Sequence, residues 1–308
     1  MPETIEIYDD RLRSLVHPDA SLQKLATDTV HSEGPVYFHE DDSLVWSDAH
    51  GNRLLRWSAS DGVSVLRDPS DYQSGNYRDL QGRLVACSSG LRAIIRREYE
   101  GQWKVLVDRY QGKRLNSPND LVVKSDGTIW FTDPPYGITE PNQGYGGEQE
   151  QPGCFVYRFD PATGEIDAIV TDMVRPNGLA FSPDENLLYV SDTAAFNIPD
   201  GPHHIRVYEV VNGRRVTNGR VFAVIDPGQP DGLRVDEYGN IFTSSQDSVQ
   251  VYAPDGTRLG KILVPEVVAN LTFGGVKRDR LFITAGTSLY AIDQTVDKTR
   301  QLVHKLDK

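Results

Sequence analysis

The chain has 308 residues, of which 38% are apolar and 25% are charged, and its formal net charge is −12 at pH 7. This composition excludes a disordered chain and indicates a globular protein with a substantial core. The negative charge disfavours nucleic acid and anionic membrane surfaces as partners, whereas a divalent cation or a small neutral molecule is compatible with it.

The N-terminal stretch MPETIEIYDDRLRSL lacks a basic segment followed by an apolar one, and the chain has no run of about 18 apolar residues. We therefore expect a cytoplasmic protein without a membrane span, or a periplasmic one if a signal peptide was removed. Cys87 and Cys154 form no CxxC motif, which predicts two buried thiols rather than a zinc site or a disulfide framework. We expect a monomer or a weak homodimer.

Six segments of the chain follow one plan. Each starts with a small or polar residue and continues with a short apolar strand, a turn rich in Asp, Gly, Asn or Pro, a strand of β-branched and aromatic residues, and a third strand. They are EGPVYFHEDDSLVWSDAHGNRLLRW, GNYRDLQGRLVACSSGLRAIIRRE, PNDLVVKSDGTIWFTDPPYG, PNGLAFSPDENLLYVSDT, PDGLRVDEYGNIFTSSQDSVQVYAPDG and ANLTFGGVKRDRLFITAGTSLYAID. Further short strands, such as WKVLVDR and EIDAIVTD, supply a fourth strand to the units.

Four antiparallel strands repeated six times predict an all-β, six-bladed β-propeller around a central channel, formed by residues 1–308 as a single domain. A ring of blades needs a closing strand. One candidate is SLQKLATD, residues 21–28 of the N-terminal segment 1–30, and the other is RQLVHKL, residues 300–306. The sequence leaves both candidates open.

An acidic or amide residue stands at the start of the first strand in each unit. First strands line the channel of a propeller, so these six side chains should converge near one end of it. They are Glu33, Asn76, Asn119, Asn177, Asp231 and Asn270.

Four of these residues, Glu33, Asn119, Asn177 and Asp231, predict a divalent metal site in the channel. Carboxylate and amide oxygens suit Ca²⁺, whereas Zn²⁺ prefers nitrogen or sulfur, so we expect Ca²⁺ with Zn²⁺ or Mn²⁺ as alternatives. The two carboxylates would balance one divalent ion. Asn and Asp also form ordinary turns, and that structural alternative stays open for Asn76 and Asn270.

Two long insertions, residues 134–153 and 193–204, leave from the same predicted face of the ring. Long loops in compact domains often cover binding sites, so we expect both to overhang the metal site. Tyr136 and Tyr145 are the candidates to shape a pocket there. The alternative is a pair of surface loops without a role.

An Asp ends the second strand in several units, as in WSD, FTD and VSD, which gives Asp48, Asp133 and Asp192. Their repetition predicts a structural role in which each carboxylate accepts hydrogen bonds from backbone N–H groups. Asp133, beside the longer insertion, is the candidate for a functional role. His31, two residues before Glu33, is interpreted as a core or surface residue.

At these residues the sequence resembles the senescence marker protein/gluconolactonase/regucalcin-like family of six-bladed propellers. SEGPVY, RLNSPNDLVVKSDGTIWFTDPPYG, RPNGLAFSPDE, QPDGLRVDEYGNIF and NLTFGG carry the resemblance, and NSPNDLVVKSDGTIWFTDPPYG is especially similar to the bacterial gluconolactonase branch. The resemblance implies a metal-dependent lactone hydrolase with Glu33, Asn177 and Asp231 as metal ligands and Asn119 on the metal or the substrate. Ser117 stands where the animal branch has a sugar-binding Arg, so those sugar contacts are not carried over.

These observations predict hydrolysis of a sugar lactone such as D-glucono-1,5-lactone to the aldonic acid. A divalent metal would polarise the carbonyl, and Asp231 would activate water, with Asp133 as the alternative acid or base. Asn76, Asn119, Asp133 and Tyr136 are the predicted substrate contacts. The alternatives are a Ca²⁺-dependent hydrolase of aryl esters or phosphotriesters on the same site, and a propeller that serves as a binding scaffold without catalysis.

Overall fold

The structure is a computed structural model that describes residues 4–17 and 19–295. Six antiparallel sheets of four or five strands are arranged around a central axis as the blades of a propeller, and one two-stranded hairpin accompanies them. The first strands of successive blades contact each other in a closed circle, so they line the channel. The predicted six-bladed β-propeller is confirmed.

The blades follow one another along the chain, and their strands are given from the channel outwards. Blade 1 consists of Ser32–Phe38, Ser43–Asp48, Arg53–Ser58 and Gly62–Arg67. Blade 2 consists of Gln73–Arg78, Leu84–Ser88, Ala93–Arg97 and Trp103–Val107. Blade 3 consists of Leu121–Val123, Ile129–Asp133, Phe155–Phe159 and Ile166–Val170. Blade 4 consists of Pro176–Phe181, Leu187–Asp192, His204–Val211 and Arg215–Val224. Blade 5 consists of Leu233–Val235, Ile241–Ser244, Ser248–Tyr252, Arg258–Leu263 and Ile5–Ile7. Blade 6 consists of Val268–Gly274, Arg280–Ala285, Ser288–Asp293 and Gln23–Ala26.

Helical structure in the described part of the chain is limited to short segments. They are the 3₁₀ turns Asp10–Ser14 and Ala194–Phe196 and the α-helical turn Tyr136–Thr139, and the two-stranded hairpin is Arg109–Tyr110 with Lys113–Arg114. Within this part of the chain no helix has the length and apolar character needed to cross a membrane.

A buried apolar cluster fills every interface between neighbouring blades. Both faces of a blade are covered, which explains why the second strands read as continuous apolar runs instead of alternating ones. In blade 3, for example, Phe131 packs towards blade 2 while the adjacent Trp130 packs towards blade 4. Burial of one such side chain contributes about 1.5–3 kcal/mol. Cys87 lies in the cluster between blades 2 and 3, and both cysteines are buried and free, as predicted.

The N-terminal segment closes the ring. Gln23–Ala26 pairs antiparallel with Ser288–Asp293 and becomes the outer strand of blade 6. Ile5–Ile7, further towards the N terminus, adds a fifth strand to blade 5. The C-terminal candidate, residues 300–306, lies outside the described residues.

Glu266 accepts a dense set of hydrogen bonds, four of them from the third strand of blade 6 and the turn before it and one from Lys24 of the closing strand. One carboxylate oxygen accepts from Ser288 Oγ and Tyr290 Oη, both at 2.6 Å, and from Lys24 Nζ at 3.2 Å. The other accepts from the Thr287 backbone N–H at 2.7 Å and its hydroxyl at 3.1 Å. Burial alone would raise the pKa of Glu266, but these hydrogen bonds outweigh it and lower the pKa to about 2.

Replacing Glu266 should therefore destabilise blade 6 in a pH-dependent way. Because its folded-state pKa is lowered, the ionised carboxylate stabilises the fold above its ordinary pKa of 4.5 and loses this effect as the pH falls towards 2. We expect E266Q to lower the free energy of unfolding by about 1–3 kcal/mol at pH 7 and by less at pH 3. Urea unfolding at both pH values measures this.

The exposed Glu100, changed in E100Q, is the control, because the same loss of charge there should leave the urea midpoint unchanged. Equal stability of E266Q and the wild type at pH 7 would show that these hydrogen bonds do not stabilise blade 6.

Candidate active site in the central channel

A cavity of about 210 Å³ lies at one end of the channel. Glu33, Asn119, Asn177 and Asp231 line it together, whereas Asn76 and Asn270 are buried outside its lining. Pockets for drug-sized ligands are usually about 300–1,000 Å³, so this cavity suits a smaller molecule. The structure therefore brings together in the cavity lining the four residues predicted to hold a metal, and it leaves the other two members of the ring outside that lining.

Irregular backbone at the start of the inner strands directs these side chains. A register shift typical of a β-bulge occurs next to four of the six residues: Glu33, Asn76, Asn177 and Asn270. Asn119 and Asp231 instead lie just before the strands Leu121–Val123 and Leu233–Val235. A bulge changes the direction of a side chain relative to a regular strand, and bulges are common beside active sites.

Glycine follows several of these residues because the inner strands approach each other closely. A Cβ atom at Gly34 would lie 2.1 Å from the Ser74 carbonyl oxygen, and one at Gly178 would lie 2.3 Å from the Asp231 carbonyl oxygen. No side chain fits at such distances. The Glu-Gly and Asn-Gly pairs at these two positions therefore reflect the packing of inner strands, not turns.

The carboxylates of the site are close enough to disturb each other's ionisation. Burial raises the pKa of Glu33, and the nearby charge of Asp120 raises it further. Burial also raises the pKa of Asp231 well above its usual range, and the charges of Glu33 and Asp120 add to this while a hydrogen bond with Asn177 opposes it. Buried like charges of this kind are costly unless a cation offsets them.

The donor set fits a hard divalent cation. The site has three carboxylates, those of Glu33, Asp120 and Asp231, and the buried guanidinium of Arg234 lies 3.9 Å from Asp120 Oδ2, which leaves two formal negative charges when all four groups are ionised. Among the described residues no group of three or more His, Cys, Asp or Glu side chains is arranged to hold a metal, so a site here needs the amide oxygens as well. Oxygen donors of mixed charge suit Ca²⁺. The metal site itself stays a prediction.

Asn76 and Asn270 use their amide nitrogens to hold neighbouring groups. Asn76 Nδ2 donates to the Gly34 carbonyl oxygen and to Ser47 Oγ, both at 2.8 Å, and to the Ser74 carbonyl oxygen at 3.0 Å. Asn270 Nδ2 lies 3.3 Å from Glu33 Oε2, to which it donates. Asn76, predicted to contact substrate, is thus fully buried and placed against blade 1.

The Asp residues that end the second strands of blades 1, 3 and 4 accept hydrogen bonds from backbone N–H groups ahead of the inner strand of their own blade. The pairs are Asp48 with Val30 and His31, Asp133 with Asn116, and Asp192 with Val174 and Arg175. Asp133 is fully buried and does not line the cavity, although it was the candidate for a functional role. Burial raises the pKa of Asp133 to about 7, against the backbone hydrogen bonds that lower it.

Both insertions reach the cavity, as expected from the sequence. Residues 134–153 contribute Tyr136 and Gln143 to its lining, and residues 193–204 contribute Thr193 and Phe196. The rings of Tyr136 and Phe196 meet edge to face with centroids 6.5 Å apart. The two insertions therefore form one wall of the cavity.

Tyr145 lies outside the lining, although the sequence made it a pocket candidate. Its hydroxyl donates to Asp71 Oδ1 at 3.0 Å, and its ring packs edge to face on Tyr72. Tyr72 lines the cavity, so Tyr145 supports the wall from behind.

Ser117 anchors the longer insertion. Its hydroxyl donates to the Pro134 carbonyl oxygen at 2.7 Å and accepts from the Gly137 N–H at 2.8 Å. The residue is buried and does not line the cavity. Ser117, which stands where the animal branch has a sugar-binding Arg, thus holds the longer insertion in place.

His31 and His50 line the cavity, although His31 was interpreted from the sequence as a core or surface residue and His50 was not singled out. Their rings stack with centroids 4.5 Å apart, and His31 Nε2 lies 3.8 Å from Glu33 Oε1. Burial lowers the pKa of His31 to about 4, with the His50 charge as a smaller cause, so the imidazole is neutral at pH 7. The only available signal was the position of His31 two residues before Glu33.

Known proteins resemble this chain over nearly its whole length. Residues 31–287 match the SMP-30/Gluconolactonase/LRE-like region. A gluconolactonase of Zymomonas mobilis is 33% identical, with 92% of this chain and 84% of that protein covered. A pentonolactonase of Haloferax volcanii is 28% identical, with 82% of this chain and 80% of that protein covered.

Solved structures give the same result. A gluconolactonase of Xanthomonas campestris superimposes with a TM-score of 0.88 and 41% identity, over 94% of this chain and 94% of that one. The family match alone spans well over half of the chain. The chain therefore belongs to the SMP-30/gluconolactonase/LRE-like family.

Proposed function

We propose that the protein hydrolyses a sugar lactone, with D-glucono-1,5-lactone as the first candidate, at a divalent cation held by Glu33, Asn119, Asn177 and Asp231. The observation that carries the proposal is the convergence of these four oxygen-bearing side chains, two of them carboxylates, in one small cavity. The names of the gluconolactonase and pentonolactonase relatives support the substrate class.

The proposed cation is Ca²⁺, because every side chain offered to it presents oxygen. When bound, a divalent cation supplies a Lewis acid that polarises an ester carbonyl and stabilises the oxyanion of the tetrahedral intermediate. Glu33 and Asp231 offset its charge. Asn119 and Asn177 add neutral oxygens, which do not increase the repulsion between the two carboxylates.

Asp231 is the proposed general base. It is partly exposed to the cavity, and its carboxylate would take a proton from the attacking water. Asp133, the alternative base, is buried against backbone N–H groups away from the cavity. Its position gives no support to that alternative.

Tyr136 is the proposed hydrogen-bond donor to the substrate. Burial raises the pKa of its phenol far above the ordinary value, so the hydroxyl stays protonated at any working pH. The hydroxyl is buried and has no hydrogen-bond partner within residues 4–17 and 19–295. A buried hydroxyl without a partner is costly, and a substrate oxygen in the cavity would satisfy it.

Removal of divalent cations is the first test of this function. We expect hydrolysis of D-glucono-1,5-lactone, followed by the release of acid, to stop after chelation and to return best on addition of Ca²⁺ when compared with Zn²⁺, Mn²⁺ and Mg²⁺. Circular dichroism before and after chelation controls for loss of the fold. Full activity in the chelated protein would contradict the role of the metal.

The alternative functions predict other results in the same assay. If the protein binds a cation and hydrolyses aryl esters or phosphotriesters but no lactone, its substrates are those esters and not sugar lactones. Absence of both cation binding and hydrolysis would favour a binding scaffold.

Removal of the proposed base should reduce the turnover of lactone far more than the binding of lactone. We expect D231N to lower kcat by about 10²–10⁴-fold at saturating Ca²⁺, since general base catalysis contributes about this much. Initial rates over a range of lactone concentrations measure it. In E33Q the larger effect should be on the Ca²⁺ concentration needed for half-maximal activity.

Near-normal turnover of D231N in saturating Ca²⁺ would exclude Asp231 as the base. Unchanged Ca²⁺ binding by E33Q in calorimetry would remove Glu33 from the proposed ligands.

Loss of the Tyr136 hydroxyl should lower kcat/KM for the substrate and leave the affinity for the metal unchanged. We expect Y136F to lower kcat/KM by about 10-fold, the equivalent of one hydrogen bond of about 1.4 kcal/mol, with unchanged Ca²⁺ affinity. Y145F is the matched control, because Tyr145 lies in the same insertion but does not line the cavity. Equal kcat/KM for Y136F and Y145F would argue against a substrate contact at Tyr136.

A further inference from the structure

A third carboxylate lies beside the cavity and has no part in the proposed reaction. Asp120 follows Asn119 directly in the chain and is 1% exposed. It does not line the cavity, so it cannot act on a ligand by contact. A buried carboxylate next to two others carries a large energetic cost, which indicates that it has a role there.

Three groups hold the Asp120 carboxylate. Oδ1 accepts from the Leu121 backbone N–H at 2.8 Å, and Oδ2 accepts from Asn270 Nδ2 at 3.2 Å. The buried guanidinium of Arg234 approaches Oδ2 with Nη1 at 3.9 Å and donates to the Leu233 carbonyl oxygen. These contacts fix the position of Asp120 from three blades.

Asn270 connects Asp120 to Glu33. Its Nδ2 donates to Asp120 Oδ2 and, at 3.3 Å, to Glu33 Oε2, while its Oδ1 accepts from the Leu271 backbone N–H at 2.9 Å. The opposite orientation of the amide would set its nitrogen against a backbone donor and its oxygen against two carboxylates. Only the observed orientation is therefore compatible with its neighbours.

Close packing prevents the Asn270 side chain from moving away. A Cβ atom at Gly232, the residue after Asp231, would lie 2.1 Å from Asn270 Cγ. The backbone of blade 5 thus lies directly against the amide. This contact keeps the bridge between the two carboxylates in place.

We propose that Asp120 is a positioning residue: through Asn270 it fixes the Glu33 carboxylate in the orientation that binds a divalent cation. This inference rests on the cation of the proposed function. Glu33 Oε2 accepts from the Gly34 N–H at 2.8 Å and from Asn270 Nδ2, and the second of these contacts is the one that Asp120 secures. Groups that orient a metal ligand commonly change metal affinity about 10–100-fold when they are replaced.

The test is the Ca²⁺ affinity of D120N, measured by calorimetry on chelator-treated protein. The substitution keeps the shape but puts an amide where the carboxylate accepts from Asn270 or from Leu121. We expect the affinity to fall about 10–100-fold. The matched control is D236N, because Asp236 is also buried and accepts from an Asn side chain, Asn240 Nδ2 at 2.7 Å, but lies outside the cavity lining.

A double-mutant cycle distinguishes action through Glu33 from a general structural effect. If Asp120 acts by orienting Glu33, the double variant D120N/E33Q should bind Ca²⁺ no more weakly than E33Q alone. Additive losses would overturn the inference, as would an equal loss in D236N. If D120N does not fold, N270A carries the test, because it removes the same bridge.

Two failures can be separated. A wild type that binds Ca²⁺, with D120N within twofold of it, would overturn the inference and leave the proposed function intact. A wild type that binds no divalent cation would overturn both the inference and the metal in the proposed function.

Discussion

Burial of like charges at the axis of the ring is the constraint on which the rest of the structure depends. Burial raises the pKa of all three carboxylates there, those of Glu33, Asp120 and Asp231, and the guanidinium of Arg234 opposes the charges of Glu33 and Asp120. The chain maintains this arrangement because six blades, each secured to its neighbours by an apolar cluster, hold the inner strands together. The stability of the ring therefore offsets the cost of the site.

The repeat supplies six equivalent positions, and the structure gives them different tasks. Glu33, Asn119, Asn177 and Asp231 line the cavity, whereas Asn76 and Asn270 are turned to their neighbours. Asn presents an oxygen or a nitrogen depending on the contacts around it, so the same residue type serves either task. Sequence alone does not distinguish the two tasks, because the partners of the amide come from other blades.

The fold was predictable from the sequence because its signal is local and repeated. Runs such as IWFTD mark strands buried on both faces, and the turn residues between them mark the blades. The cavity residues followed from one geometric rule about first strands. Asp120 was missed because, beside Asn119, it resembles a second turn residue, and its contacts with Asn270 and Arg234 join distant parts of the chain. The closing strand was ambiguous because two short apolar segments looked alike.

The way the ring closes has a consequence for biosynthesis. Thr27 and Ser288 are in contact although they lie 261 positions apart in the chain, so the closing strand Gln23–Ala26 must wait for its partner Ser288–Asp293 to be synthesised. Until then the nascent chain has an open edge on blade 6 and on the partly built ring, and such an edge is able to pair with other chains. Closure of the ring and protection of the blade 6 edge from aggregation thus occur in the same pairing event.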